Sequence, residues 1–212
     1  MTGKPIEEAV ATYYAGKLQQ HGLTPRGVDW KDAASQELRF AQLARLFIEP
    51  KGSVADFGCG YGSFLHFMRG AGFGGDYLGL DISPEMVSAA RDHCKGIDGA
   101  AFEVASTADR PRDYAVASGI FNVRLAFENE PWLRYIHETL EAMDRASTNG
   151  FAFNCLTSYS DADKMRPDLY YADPLALFDR CKRRYGKNVA LLHDYGLYEF
   201  TILVRKDGGG KS

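Results

Sequence analysis

The spacing of apolar and polar positions changes near residue 50. Before it, apolar residues recur at helical spacing. Ile6, Val10, Tyr13, Tyr14 and Leu18 make one stripe, and Ala33, Leu38, Phe40, Ala41, Leu43, Leu46 and Phe47 a second. The breaker-rich stretch 22–30 (G-L-T-P-R-G-V-D-W) separates them, with Lys31 or Asp32 opening the second helix. Pro50 closes it, because the residue before a proline disfavours helical backbone. From Ser53 onward short apolar runs alternate with helical stripes, which predicts a parallel sheet covered on both faces. Strands are expected at 53–57, 77–81, 101–105, 114–118, 150–155, 189–194 and 198–205, and helices near 62–71, 84–95, 129–146 and 174–185. Only residues 194–197 join the last two strands. That is too short for a crossover helix, so they pair antiparallel. The predicted class is α/β: seven mostly parallel strands with an antiparallel C-terminal hairpin. Residues 1–50 are a helical cover within the same domain as 51–206, and 207–212 a polar tail.

The chemistry concentrates at the first strand end. Residues 54–63 read V-A-D-F-G-C-G-Y-G-S, an apolar run broken by Gly58, Gly60 and Gly62, after which a helical pattern starts. A strand, a glycine turn and a helix let a ligand press against bare backbone at a helix N-terminus. The second strand (Y-L-G-L-D) ends in Asp81, where an acid grips a ribose diol. The pyrophosphate pattern G-x-G-x-x-G would need glycine at Ser63, and Asp56 would repel a diphosphate while suiting a cation.

Asp56, the spaced glycines and Asp81 followed by Ile82-Ser83-Pro84-Glu85-Met86 closely resemble the class I S-adenosylmethionine (SAM)-dependent methyltransferases. The resemblance implies strand order 3-2-1-4-5-7-6 and SAM as cofactor, leaving S-adenosylhomocysteine, with no metal. It implies that Gly58 and Gly60, with Cys59 between them, line the methionine half of SAM, with Asp56 near its ammonium group. Asp81 would accept the ribose hydroxyls, with Ile82 and Met86 flanking the adenine. Asp81 could also cap the following helix, but Ser83 is the better cap. Where the family has a Gly-Asp pair after strand three, this chain has Ser106-Thr107, so Ser106 takes the adenine-amino position, unless Glu103 or Asp109 serves. The resemblance also implies that the turn at Ser118, at the end of strand four, passes beside the sulfonium. Tyr13 and Arg39 are candidates for the SAM carboxylate, Arg39 having an exposed helix charge as its alternative.

Composition narrows the acceptor. A net charge of −3 over 212 residues leaves no electrostatic footprint for nucleic acid, and the basic run 180–184 reads as a solvated helix face. Cys59, Cys94, Cys155 and Cys181 follow no metal or disulfide spacing. There is no signal-peptide pattern and no 18-residue apolar run, so a cytoplasmic protein without membrane contact is expected. The residues after strand four read S-G-I-F-N in place of an N-P-P-Y-type tetrapeptide, which speaks against methylation of exocyclic base amines. The expected activity is methyl transfer to an oxygen or nitrogen of a small molecule. Its rivals are a protein or tRNA methyltransferase, a SAM-binding module without turnover, and a nicotinamide oxidoreductase. Candidate catalytic groups are His193 as general base (or packed and inert), Asn122 as a hydrogen-bond partner of the acceptor, and Tyr171 in a segment, 158–173, expected to fold over the acceptor together with 22–30 and its Trp30. Oligomeric state has no signature in the sequence.

Overall fold

The computed structural model describes residues 3–207. Except for Asp207, the expected polar tail lies outside these residues. In chain order the elements are α1 (Gly3–His21), a 3-10 turn (Pro25–Val28), α2 (Ala33–Ala44), β1 (Val54–Phe57), α3 (Ser63–Gly70), β2 (Tyr77–Asp81), α4 (Pro84–His93), β3 (Ala100–Val104), β4 (Arg112–Ala117), α5 (Asn129–Arg145), β5 (Ser147–Leu156), a second 3-10 turn (Ala162–Lys164), α6 (Pro174–Arg184), β6 (Asn188–Leu192) and β7 (Glu199–Arg205).

The seven strands form one sheet in the order β3-β2-β1-β4-β5-β7-β6. β1 pairs in parallel with β2 and β4, whereas β7 runs antiparallel to both β5 and β6. This is the order the methyltransferase resemblance implies. The expected second helix is shorter than the sequence suggests. It starts where Asp32 accepts a hydrogen bond from Ser35 N at 2.7 Å, but ends at Ala44, six residues before Pro50. Ser83 caps α4, accepting from Met86 N at 3.2 Å, with Pro84 in the first turn.

Alternation along each strand builds two apolar layers. Ala55, Phe57, Leu78 and Leu80 face α1, α5 and α6, where Val10, Ile136 and Leu177 meet Phe151 and Phe153. Val54, Tyr77 and Val116 face the other way, against Phe40 and Leu43 of α2, Leu65 of α3 and Val87 of α4. A fully buried Leu or Phe contributes roughly 1.5–3 kcal/mol. α1 therefore packs into one layer and α2 into the other. The basic run 180–184 lies on α6, with Arg180 and Arg184 paired to Glu141 and Arg183 to Asp179. No helix among the described residues is long and apolar enough to cross a membrane.

Candidate active site

Parallel strands leave a crevice outside their carboxyl ends, where the chain crosses between the two faces. Here the ends of β1, β2 and β4 and the turn after β3 open into a cleft of about 950 Å³, its mouth included. Its floor is Asp56–Gly60 and Asp81–Ile82, and one wall is Ser118–Ile120. The roof comes from the N-terminal cover, through Glu7, Val10 and Tyr14 of α1, Val28 and Trp30 of the following loop, and Gln36 and Phe40 of α2.

The glycine turn is shaped for close contact. Gly58 (φ +71°) and Gly60 (φ +54°) both occupy left-handed backbone. A Cβ on Gly58 would lie 2.2 Å from Ile120 Cγ2, and one on Gly60 3.0 Å from Val28 Cγ1. Asp81 closes the turn from the next strand. Its Oδ2 accepts from Gly60 N at 3.0 Å and its Oδ1 from Ser83 N at 2.9 Å. A carboxylate has about four acceptor positions, so each oxygen keeps one for a vicinal diol. Burial pushes the Asp81 carboxyl up to about 6, against the lowering effect of its backbone hydrogen bonds. Asp56 is 2 % exposed and accepts from the Tyr77 hydroxyl; burial pushes it up to about 7, although that hydrogen bond pulls the other way. The Ser118 hydroxyl is buried without a partner among the described residues. An acid pair, bare glycine backbone and an unused hydroxyl suit a polar cation carrying a ribose.

Of the residues singled out from sequence, Asp56, Gly58, Cys59, Gly60, Asp81, Ile82, Met86, Ser106 and Ser118 all line this cleft. Six others do not. Thr107 is exposed outside it. Tyr13 points its hydroxyl at Asp29 Oδ2, 2.9 Å away, and its neighbour Tyr14 faces the cleft instead. Arg39 is neither an exposed helix charge nor aimed at the cleft. Buried to 8 % exposure, it donates from Nε to Glu199 Oε2 (2.7 Å) and from Nη1 to Ser35 O (2.7 Å), with its guanidinium 4.0 Å from the Trp30 ring. Asn122 Oδ1 accepts from Leu156 N at 3.0 Å, pinning the turn after β4 to the end of β5. Tyr171 accepts from Arg166 N at 2.8 Å, outside the cleft. His193 is exposed beyond the end of β6, between the rings of Tyr159 and Phe200, so neither the base role nor an interior packing role fits it.

The 158–173 segment was also expected over the acceptor. Met165, Arg166, Pro167, Leu169, Tyr170 and Tyr171 instead line a separate, shallow depression with Arg124 and Asn129. What sequence reasoning missed comes mostly from helices: Glu7 and Val10, on the same face of α1 as Tyr14, Gln36 and Phe40 on α2, and Tyr135 and Thr139 one turn apart on α5. The 3- and 4-residue spacing of Glu7, Val10 and Tyr14 was the available signal. Beneath the wall, Asn154 Oδ1 accepts from Gly119 N at 2.7 Å and Asn154 Nδ2 donates to Glu199 Oε2 at 3.2 Å. That network carries Arg39, and through it Trp30, onto the Gly119 turn.

Known proteins resemble this chain in sequence and in fold. Residues 48–166 match the family described as "Methyltransferase domain". A Mycobacterium tuberculosis protein named "Putative methyltransferase Rv1506c" is 62% identical over 154 residues, 73% of this chain and 93% of that protein. Among solved structures, a DhpI-SAM-HEP complex superposes with a TM-score of 0.65 at 15% identity, covering 94% of this chain and 97% of that one. The methyltransferase in a complex with the Haloferax volcanii Trm112 methyltransferase activator gives 0.61 at 18% identity, covering 92% and 96%. These two share the fold, while the sequence matches carry the kinship. With its glycine turn and Asp81 at the strand ends, the chain belongs to the methyltransferase-domain family, the SAM-dependent class I group.

Proposed function

We propose that the protein transfers the methyl group of SAM to an oxygen or nitrogen of a small-molecule acceptor in the cytoplasm. The observation that carries this reading is the roof. Tyr14, Val28, Trp30 and Phe40 cover the strand ends, so the cleft suits a compact acceptor better than a nucleic acid or a folded protein surface. SAM supplies an electrophilic methyl on a positively charged sulfur, so the donor needs no activation. The chain's own residues then hold and orient. Asp81 takes the ribose diol, and Gly58–Gly60 with Asp56 receive the methionine end. Ile82 and Met86 flank the base, and Ser106 offers its hydroxyl to the amino group. Ser118 and Gly119 lie where the acceptor meets the methyl group. The apolar cover excludes water, which preserves in-line geometry and suppresses side reactions.

His193, Asn122 and Tyr171 stand away from the cleft, so catalysis rests on placement of the acceptor and not on a general base. Calorimetry with SAM, followed by labelled-SAM turnover on a fractionated metabolite extract, tests it. Labelled product in a low-molecular-mass fraction is expected. Label transferred only to protein or RNA would overturn the acceptor class. Binding without S-adenosylhomocysteine from any pool would favour a non-catalytic SAM-binding module.

A further inference from the structure

Behind the glycine turn, on the side away from the cleft, three ligand-type side chains converge. His66 comes from α3, while His93 and Cys94 come from the C-terminal end of α4. One ligand atom from each lies within 4.8 Å of the other two. The imidazole rings of His66 and His93 pack with centroids 4.3 Å apart. We propose that His66, His93 and Cys94 form a binding site for a divalent first-row metal of borderline softness, with Zn²⁺ the best match, clipping α3 to α4.

The hydrogen bonds set the donor atoms. His93 Nδ1 lies 3.0 Å from the Tyr61 carbonyl, and His66 Nε2 lies 3.3 Å from the His93 carbonyl. A carbonyl only accepts, so each contact puts the ring N–H on that nitrogen. In the neutral ring this leaves the lone pair on His93 Nε2 and on His66 Nδ1. An imidazole that donates one nitrogen to a backbone carbonyl and offers the other is the arrangement found around bound zinc. Neither ring has a carboxylate ion pair among the described residues. Two nitrogens and a thiolate leave one position of a tetrahedron for water, a donor set that favours Zn²⁺ over Mg²⁺ or Ca²⁺. His66 is exposed and gives a route in from solvent, while Cys94 is buried against the turn, its Sγ 3.7 Å from the Gly62 carbonyl. On binding, the Cys94 thiol releases its proton to water and the S–Zn bond replaces the S–H bond. Tyr61 and Gly62 finish the turn whose other side lines the cleft, so the clip would brace the turn without touching the transferred methyl group.

The test uses the whole chain, stripped with a chelator, and Zn²⁺ or Co²⁺ as probes. One equivalent of Co²⁺ should bind per chain and give a thiolate-to-metal charge-transfer band. Cys94→Ser should remove that band, and His66→Ala should weaken binding by about tenfold or more. Zn²⁺ at a hundredfold excess over its Kd should raise the melting temperature by about 5–10 °C, and His66→Ala should abolish the rise. His66 is exposed, so His66→Ala should fold normally without metal, which its circular dichroism verifies. His193→Ala serves as the control and should bind as the parent does. No stoichiometric binding at 100 μM (about that level being generous for a zinc site) overturns the proposal. So does binding that survives both His66→Ala and Cys94→Ser, or that is lost in His193→Ala.

Discussion

The Trp30 indole rests on Gly119 so closely that a Cβ on that glycine would lie 2.3 Å from Trp30 Cζ2. Gly119 also has a φ of +77°, so its backbone suits glycine alone. Gly119→Ala is therefore expected to cost about 2 kcal/mol or more, part from left-handed backbone and part from displacing the indole. In urea denaturation, a double-mutant cycle with Trp30→Ala should return a coupling of about 1 kcal/mol or more. Strict additivity would mean that the indole does not press on this turn.

Asp81 should dominate cofactor affinity. Asp81→Asn keeps one acceptor oxygen but loses the charge, and a hydrogen bond to a charged group is worth about 1.5–3 kcal/mol. SAM affinity by calorimetry should fall about 10- to 100-fold. An unchanged dissociation constant would move the ribose elsewhere.

Asp56 and Asp81 make both stability and binding depend on pH. Both carboxyls are raised by burial, to about 7 and about 6, from an ordinary value of 3.8. Between pH 4 and 7 the folded chain therefore holds more protons than the unfolded one, and the ligand-free protein should lose stability as pH rises through that window. An ammonium group beside Asp56 and hydroxyls donating to Asp81 both favour the ionised forms. SAM binding would then release protons, and its affinity should rise between pH 5.5 and 7.5. Asp56→Asn should flatten part of that rise. A pH-independent affinity in the parent protein would contradict these assignments.

His193 and Asn122 should separate catalytic from structural effects. His193→Ala is expected to leave SAM turnover within about twofold of the parent, since the ring lies off the cleft. Asn122→Ala orphans the Leu156 N–H and should lower stability by about 1–3 kcal/mol in chemical denaturation. A hundredfold loss of turnover in His193→Ala, with normal folding, would restore its candidacy as a base.

The strand-end half of the site was legible because its residues are neighbours in sequence. A strand that stops at Gly58, or at Asp81, carries its site residue at its own end, and the parallel sheet gathers those ends together. The cover was legible only as helices. Tyr13 and Tyr14 are adjacent, and the docking of α1, which no local pattern reveals, decides which one faces the cleft. Arg39 looked available because its partner, Glu199, lies 160 residues away at the start of β7. Asn122 and His193 were placed by strand position alone. Their side chains answer to the β5 backbone and to solvent, neither of which the strand pattern encodes.

Asp29 ties together three parts of the molecule. Lys17 of α1 reaches its Oδ1 at 2.8 Å, the Tyr13 hydroxyl donates to its Oδ2, and Arg166 of the 158–173 segment stands 3.8 Å from that same oxygen. Trp30 packs the roof loop onto Gly119 and Arg39, and at Asp29 the same loop is moored to α1 and to the 158–173 segment by partly exposed charges. Dissolved ions weaken such moorings, so ionic strength should act as a throttle on traffic through the cleft, loosening the roof while the sheet beneath it stays put.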